Sequence, residues 1–168
     1  MRAYHFGNFY MSSIQQGIQA EHAAVWMAVK LRRSTDKKSQ MFWDWAAFHE
    51  TVILLNGGMD CDLKDIANFL NNPVSPYPFG MFKESKDAMD SMLTNVMVIL
   101  PERIYDVAAQ VRRRNLMFDN GGTMSLGRTE HMSNDDVEEC NGMIIEYGHY
   151  SAFEMELIAK LNRYQLAS

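Results

Sequence analysis

The chain has 168 residues, of which 47% are hydrophobic and 22% charged, and its formal net charge at pH 7 is −5. This length and composition predict one globular domain with its own core and exclude a disordered chain. The excess of acidic residues argues against a general nucleic-acid-binding protein. The sequence shows no apolar run for a membrane span and no secretory signal, and we therefore expect a cytoplasmic protein.

The chain opens with a predicted strand and a long predicted helix. Residues 4–10 are mostly apolar and predict the strand, and residues 13–33 predict the helix. Serines at the start of this helix suit its N-cap, and glutamines three residues later complete a capping box. These residues are Ser12, Ser13, Gln15 and Gln16. Apolar residues recur near helical spacing at Ile14, Ile18, Val25 and Val29, and alanines such as Ala20 and Ala23 allow close packing on a sheet.

The middle of the chain predicts a helix, a strand and a further helix. Residues 41–49 favour a short amphipathic helix with Phe42, Trp45 and Phe48 on one side. The apolar run at residues 51–55 predicts a strand that is buried on both faces. After the break at Asn56, Gly57 and Gly58, Asp60 is expected to cap a helix over residues 61–71. Its inward-facing residues are predicted to be Leu63, Ile66, Ala67 and Leu70.

The second half adds two strands and a helical tail. Strands are predicted at residues 79–83 and 95–100, and Pro101 starts a helix that runs to about residue 114. The tail predicts a loop at residues 117–129, a helix from residue 134 to Gly148 and a final helix at residues 151–166. The order of elements predicts an α/β fold in three layers, with a mixed four-stranded sheet flanked by helices. We expect this domain to cover residues 1–113, with a helical C-terminal extension over residues 114–168 packed on it.

The block from Met11 to Ala23 follows the first strand and opens the long helix. It resembles the opening motif of the type-two peptidyl-tRNA hydrolases, Met-Gly-x-Gly-Lys-x-Ala-x-Gln-x-x-His-Ala. Met11, Gln19, His22 and Ala23 match this motif, whereas Gln15 stands where the family has its catalytic lysine. The resemblance implies the family fold over about residues 4–101. The second family motif, Asp-Ala-Gly-x-Thr, has no match in the window from residue 83 to residue 87.

The missing motifs bear directly on catalysis. Hydrolysis of the ester between a peptide and a tRNA ribose needs an activated water and a group that stabilises the oxyanion. Gln15 carries no charge, and Ser13 would need a base to act as a nucleophile. The remaining candidates for catalysis are Ser13, His22 and Asp87. His22 has a structural alternative, a partly buried ring that hydrogen-bonds to the backbone.

We expect ligand binding at the first turn of the long helix and at two strand ends, because α/β proteins bind ligands at the carboxyl ends of their strands. The candidate residues are Ser12, Ser13, Gln15, Gln19, Asn56, Gly57, Lys83 and Glu84. Gln19 is equally compatible with a hydrogen bond that supports the fold, and the Asn56-Gly57 segment with a plain tight turn. We expect no cofactor and no metal, because the five histidines lack metal-ligand spacing.

The resemblance and the losses together favour a hydrolase-like domain that binds a nucleotide or an RNA-terminal ligand, with catalysis weak or absent. One alternative is an active peptidyl-tRNA hydrolase that uses other groups. Another is a small viral or mobile-element factor that sequesters a nucleotide signal or a host partner. A homodimer is expected because two helices are rich in apolar residues. These residues are Phe42, Trp43 and Trp45 in one helix, and Phe153, Leu157, Leu161 and Tyr164 near the C-terminus.

Overall fold

The structure is a computed structural model that describes residues 1–109, 150–164 and 166–167. The chain divides into two compact units, one of Met1–Glu102 with Tyr164–Ser168 and one of Arg103–Arg163. The predicted boundary between residues 113 and 114, the predicted loop at residues 117–129 and the predicted helix from residue 134 to Gly148 lie outside the described residues.

The first unit is built on a four-stranded mixed sheet. Its strands are β1 (Arg2–Gly7), β2 (Val52–Asn56), β3 (Phe79–Lys83) and β4 (Leu93–Leu100). They lie in the order β2-β1-β4-β3, with β1 parallel to β2 and β4 antiparallel to both β1 and β3. The predicted α/β class and mixed sheet are therefore confirmed. The first strand begins earlier and ends earlier than predicted, because Asn8 leads into a turn.

The burial of the strands follows their position in the sheet. β4 lies between β1 and β3, and all eight of its residues are buried. β2 lies at an edge, where Val52 is 47% exposed, so the prediction that this strand is buried on both faces was wrong. The C-terminal end of the chain pairs with part of that edge, since the Ala167 N–H donates to the Leu54 carbonyl oxygen.

Helix α1 (Ser13–Leu31) packs on one face of the sheet. Ser12 is its N-cap and forms the predicted capping box with Gln15. The buried side chains of α1 are small or flexible, and this allows the close approach expected from its alanines. They are Gln16, Gln19, Ala20, Ala23 and Met27. The larger apolar residues instead lie on the outer face of α1, where Ile14, Ile18, Val25 and Val29 are 76%, 45%, 55% and 54% exposed.

Helix α2 (Lys37–Asp44) starts at the cap Asp36, earlier than predicted, and continues into a π-helical turn at Trp45–His49. Phe42 and Trp45 join the same core as Met97 of β4. The wider π turn changes the rotation per residue, so Phe48 does not follow them inward and is 80% exposed. The prediction that Phe48 shares their buried side was therefore wrong.

Helix α3 (Asp60–Leu70) follows β2, and the predicted inner residues Leu63, Ile66, Ala67 and Leu70 are all buried. Met59, not Asp60, occupies the N-cap, and Asp62 accepts a hydrogen bond from the Met59 N–H at 2.8 Å. The Asp60 carboxylate instead accepts from the Leu93 N–H at 2.8 Å and so ties α3 to β4. A short helix α4 (Lys86–Met89), capped by Ser85, lies between β3 and β4.

The second unit contains helical residues 103–109 and a C-terminal helix at Ala152–Leu161. Ser151 and Glu154 form a capping box at the start of the latter, and Glu154 also pairs with Arg103. This helix ends at Leu161, five residues before the predicted end. None of the described helices combines the length and apolar character of a membrane-spanning helix.

Most of the residues from which a homodimer was predicted are buried within one chain. Phe42, Trp45, Phe153, Leu157 and Leu161 are all less than 9% exposed. The exception in α2 is Trp43, which is 43% exposed. The tail residue Tyr164 makes an edge contact with Phe6, with ring centroids 5.0 Å apart. These apolar side chains therefore close cores and give no support to a dimer.

Candidate ligand-binding site

The topology collects several loops at one edge of the sheet. The carboxyl ends of β1, β2 and β3 meet there with the amino end of β4, and α1 and α3 both begin there. The loops after β1 and β2 are hydrogen-bonded to each other. The Gly57 N–H donates to the Gly7 carbonyl at 2.8 Å, and the Phe9 N–H donates to the Gly58 carbonyl at 2.7 Å.

A polar network at this edge links α1 to the ends of β3 and β4. The Gln19 side-chain amide donates to Glu84 Oε1 at 2.6 Å, and Thr94 Oγ1 donates to Gln19 Oε1 at 3.3 Å. Gln19 and Thr94 are buried and Glu84 is half-buried. The network therefore holds one oxygen of a carboxylate at the sheet edge while the group stays partly open to solvent.

Two of these residues, Gln19 and Glu84, were predicted as ligand-binding residues, and the structure brings them together. Thr94 was missed, and a local feature of the sheet explains why. The register between β3 and β4 shifts between Phe82 and Lys83, so Lys83 pairs with Leu93 while Phe82 pairs with Asn95. Thr94 is the extra residue of this irregularity, and no sequence pattern indicates which way its side chain points.

A buried glutamine side chain, that of Gln16, lies beneath the start of α1. Gln16 Nε2 donates to the carbonyl oxygens of Asn8 and Met11 at 3.3 and 3.1 Å. Gln16 also covers Gly7, where an added Cβ would lie 2.7 Å from Gln16 Oε1. That Oε1 atom has no hydrogen-bond partner among the described residues. The sequence pointed to Gln16 only as a capping residue, whereas its role is to close the turn after β1.

The predicted residues of the first helix turn serve the helix itself. The N–H and the hydroxyl of Ser12 both donate to Gln15 Oε1 at 3.0 Å, and the Gln15 N–H donates to Ser12 Oγ at 3.3 Å. This reciprocal cap satisfies the helix end and occupies Ser12 Oγ and Gln15 Oε1. Ser13 is exposed beside them.

Asn56 and Gly57 form a tight turn. Asn56 Oδ1 accepts a hydrogen bond from the Gly58 N–H at 3.1 Å. A Cβ at Gly57 would lie 2.5 Å from Leu63 Cδ2 and 2.8 Å from Phe6 Cβ, so only glycine fits where α3 approaches β1. This geometry accounts for both residues structurally.

No hydrogen bond among the described residues joins the three candidates for catalysis. Ser13 lies in the first turn of α1, His22 is exposed and packs on the ring of Phe82 with centroids 4.6 Å apart, and Asp87 is exposed in α4. The predicted partly buried position of His22 was therefore wrong. Gln15, which aligns with the family lysine, is engaged in the helix cap.

Charged groups lie next to the network at the end of β3. Lys83 is exposed, and its positive charge helps to lower the pKa of Asp60. The larger causes of that lowered pKa are the hydrogen bonds that Asp60 accepts from Lys64 and from the Leu93 N–H. Lysine ammonium groups of this kind attract phosphate oxygens as point charges.

One further polar pair is buried in the sheet below the site. His5 Nδ1 lies 3.0 Å from Asn95 Oδ1, and His5 is only 1% exposed. Burial lowers the pKa of His5 to about 4, against the opposing effect of the hydrogen bond with Asn95. The ring is therefore neutral at pH 7.

No group of three or more His, Cys, Asp or Glu side chains in the described part of the chain is arranged to hold a metal ion. Comparison with models of known protein families gives no match, and comparison with curated proteins gives none either. The assignment of function therefore depends on the residues and the geometry set out above.

Proposed function

We propose that this domain, which resembles the type-two peptidyl-tRNA hydrolases, binds a nucleotide or an RNA-terminal ligand at the edge of the sheet, with catalysis weak or absent. The observation that carries the proposal is the carboxylate of Glu84, which Gln19 holds at 2.6 Å at the half-open end of β3. Lys83 supplies a positive charge next to it in the chain.

The chemistry of these two groups matches the ribose and the phosphate of a nucleotide. A carboxylate accepts hydrogen bonds, and the hydroxyls of a ribose donate them, as in dinucleotide-binding proteins where an acidic residue binds the ribose. Because Gln19 already orients Glu84, the carboxylate loses little freedom when the ligand binds. The ammonium group of Lys83 would then attract the phosphate.

The weak catalysis follows from what surrounds the ligand. The Gln15 side chain accepts a hydrogen bond in the helix cap, and among the described residues no base is hydrogen-bonded to Ser13. Without a base or a cation at these positions, neither Ser13 nor Gln15 can activate a water or place a charge on the oxyanion of a bound ester. A ligand would therefore be held rather than hydrolysed.

Thermal-shift titration with ribonucleotides tests the proposal. The melting temperature should rise with ligand concentration, because a ligand that binds only the folded state stabilises it. Gln19→Ala should weaken binding by about 1–2 kcal/mol, the usual cost of a lost hydrogen bond to a charged or buried group. Gln40→Ala, at an exposed residue of α2, is the matched control and should respond like wild type. An unchanged melting temperature with every ribonucleotide would overturn the proposal.

A self-associating interaction protein is the second candidate, and the outer face of α1 favours it. Ile14, Ile18, Val25 and Val29 form an exposed apolar stripe there, which is costly to leave in water. A second copy of the chain is the occupant that we propose for this stripe, because symmetric dimers are the commonest oligomers.

A further inference from the structure

A groove runs along the edge strand β3 on the sheet face that carries α3. It encloses about 170 Å³ and is bordered by β3, by α3 and by two residues of α1. Because side chains alternate along a strand, Phe79, Met81 and Lys83 share the face that lines it. From α1, Trp26 and Lys30 close its outer side.

Positive charge is concentrated in this groove. Lys30, Lys64 and Lys83 line it, and no acidic side chain is among the described residues that do so. The Asp60 carboxylate pairs with Lys64, and the positive charge of Lys83 also acts on it. The groove therefore carries three lysines, in a chain whose net charge is negative.

Aromatic rings stand beside these charges. The Lys30 ammonium lies 4.9 Å from the centre of the Trp26 ring and 5.7 Å from that of Phe79. The rings thus hold the cation in place and present large flat surfaces, with Trp26 41% exposed. Asn68 of α3 and Asn71 at its C-cap add amides that both donate and accept hydrogen bonds.

We propose that this groove binds a single-stranded nucleic acid, with its phosphates near Lys64 and Lys83 and a base against Trp26 or Phe79. Grooves that bind single strands combine positive charge along the backbone with aromatic rings on which bases stack. The inference rests on the proposed function, since Lys83 lies at the junction of the groove and the Glu84 site. It adds that the ligand is an RNA strand that continues along β3. An acidic peptide would use the lysines but not the rings.

Fluorescence anisotropy with a labelled octaribonucleotide and the full chain tests this inference. Trp26→Leu should keep the fold and weaken RNA binding about tenfold, because it removes a stacking surface. Lys64→Gln should reduce the slope of log affinity against log salt by about 0.7, the value for one lost contact to a single strand. Lys37→Gln, at the start of α2 and away from the groove, is the charge control and should change neither quantity.

The groove is excluded as the RNA site if Trp26→Leu and Lys64→Gln bind the octaribonucleotide as wild type does. It is also excluded if an acidic peptide competes as well as unlabelled RNA. Titration with adenosine monophosphate separates this failure from failure of the proposed function, because the mononucleotide needs only Glu84 and Lys83. If Glu84→Gln abolishes mononucleotide binding, the proposed function is supported. If the groove variants still bind RNA as wild type does, the inference about the groove is overturned.

Discussion

The side-chain amide of Gln19 donates to the Glu84 carboxylate at 2.6 Å, although the two residues are 65 positions apart in the chain. This contact joins the second turn of α1 to the end of the edge strand β3. The glutamine on the helix thereby orients the carboxylate of the glutamate in the loop, and that carboxylate can accept further hydrogen bonds. The proposed ligand site is built around that acceptor.

Two glycines offer a matched test of the packing at the site. Gly57→Ala should destabilise the protein by about 1–3 kcal/mol, because the new Cβ would lie 2.5 Å from Leu63 Cδ2. Gly17→Ala meets nothing within 4 Å inside α1 and should stabilise the protein by about 0.5–1 kcal/mol. Urea unfolding of both variants measures the difference. Equal effects of the same sign would contradict the close approach at Gly57.

The buried pair of His5 and Asn95 makes stability depend on pH. The pKa of His5 is about 4 in the folded protein, against the ordinary histidine value of 6.5, so below pH 6.5 the unfolded chain binds more protons. Stability is therefore fully present above pH 6.5 and falls as the pH drops towards 4, by up to about 3 kcal/mol from this group. His5→Gln should remove this part of the slope, measured by urea unfolding at several pH values. His22→Gln, at an exposed histidine, should keep it, and a His5→Gln slope equal to that of wild type would count against the assignment.

The chain is expected not to hydrolyse peptidyl-tRNA. Incubation with N-blocked aminoacyl-tRNA should release no amino acid above the spontaneous rate, and the gene should not rescue cells that lack peptidyl-tRNA hydrolase. Release in proportion to protein, abolished by Ser13→Ala or Asp87→Asn, would instead establish the active-enzyme alternative.

The outer face of α1 should govern self-association. Sedimentation at micromolar concentration is expected to give twice the monomer mass, and Ile18→Asp should give the monomer, since it places a charge in the centre of the apolar stripe. Phe48→Asp, at a residue that is 80% exposed on another surface, should leave the dimer intact. A monomer for the wild-type chain would rule out this role for the stripe.

Local patterns predicted the elements whose partners are local. The cap of α1, the inner residues of α3 and the mixed sheet all follow from capping, periodicity and the order of elements. The burial of β2 was predicted wrongly because its edge position depends on the strand order, which no short pattern encodes. The exposure of Ile14 and Ile18 likewise depends on which face of α1 packs on the sheet, and the alanines lie on that face.

The contacts around the proposed site follow from the sequence only in part, for the same reason. Gln19 was singled out by its place in the opening motif, and Glu84 by its position at a strand end. Their contact depends on how β3 lies beside α1. Thr94 was missed because its direction depends on the register shift between β3 and β4. Asp60 was expected to cap a helix, and its bond to Leu93 depends on a contact 33 positions away.

Calorimetric titration of the wild-type protein and Glu84→Gln tests the central claim most directly. The ligands are adenosine monophosphate and its 2′,3′-dideoxy analogue, which keeps the base and phosphate but lacks the ribose hydroxyls. Wild type should bind the ribonucleotide about tenfold more tightly than the analogue, and Glu84→Gln should lose most of that preference, because hydrogen bonds to a charged acceptor are worth more than those to a neutral one. Equal affinity of wild type for both ligands, or a preference unchanged in Glu84→Gln, would contradict the account.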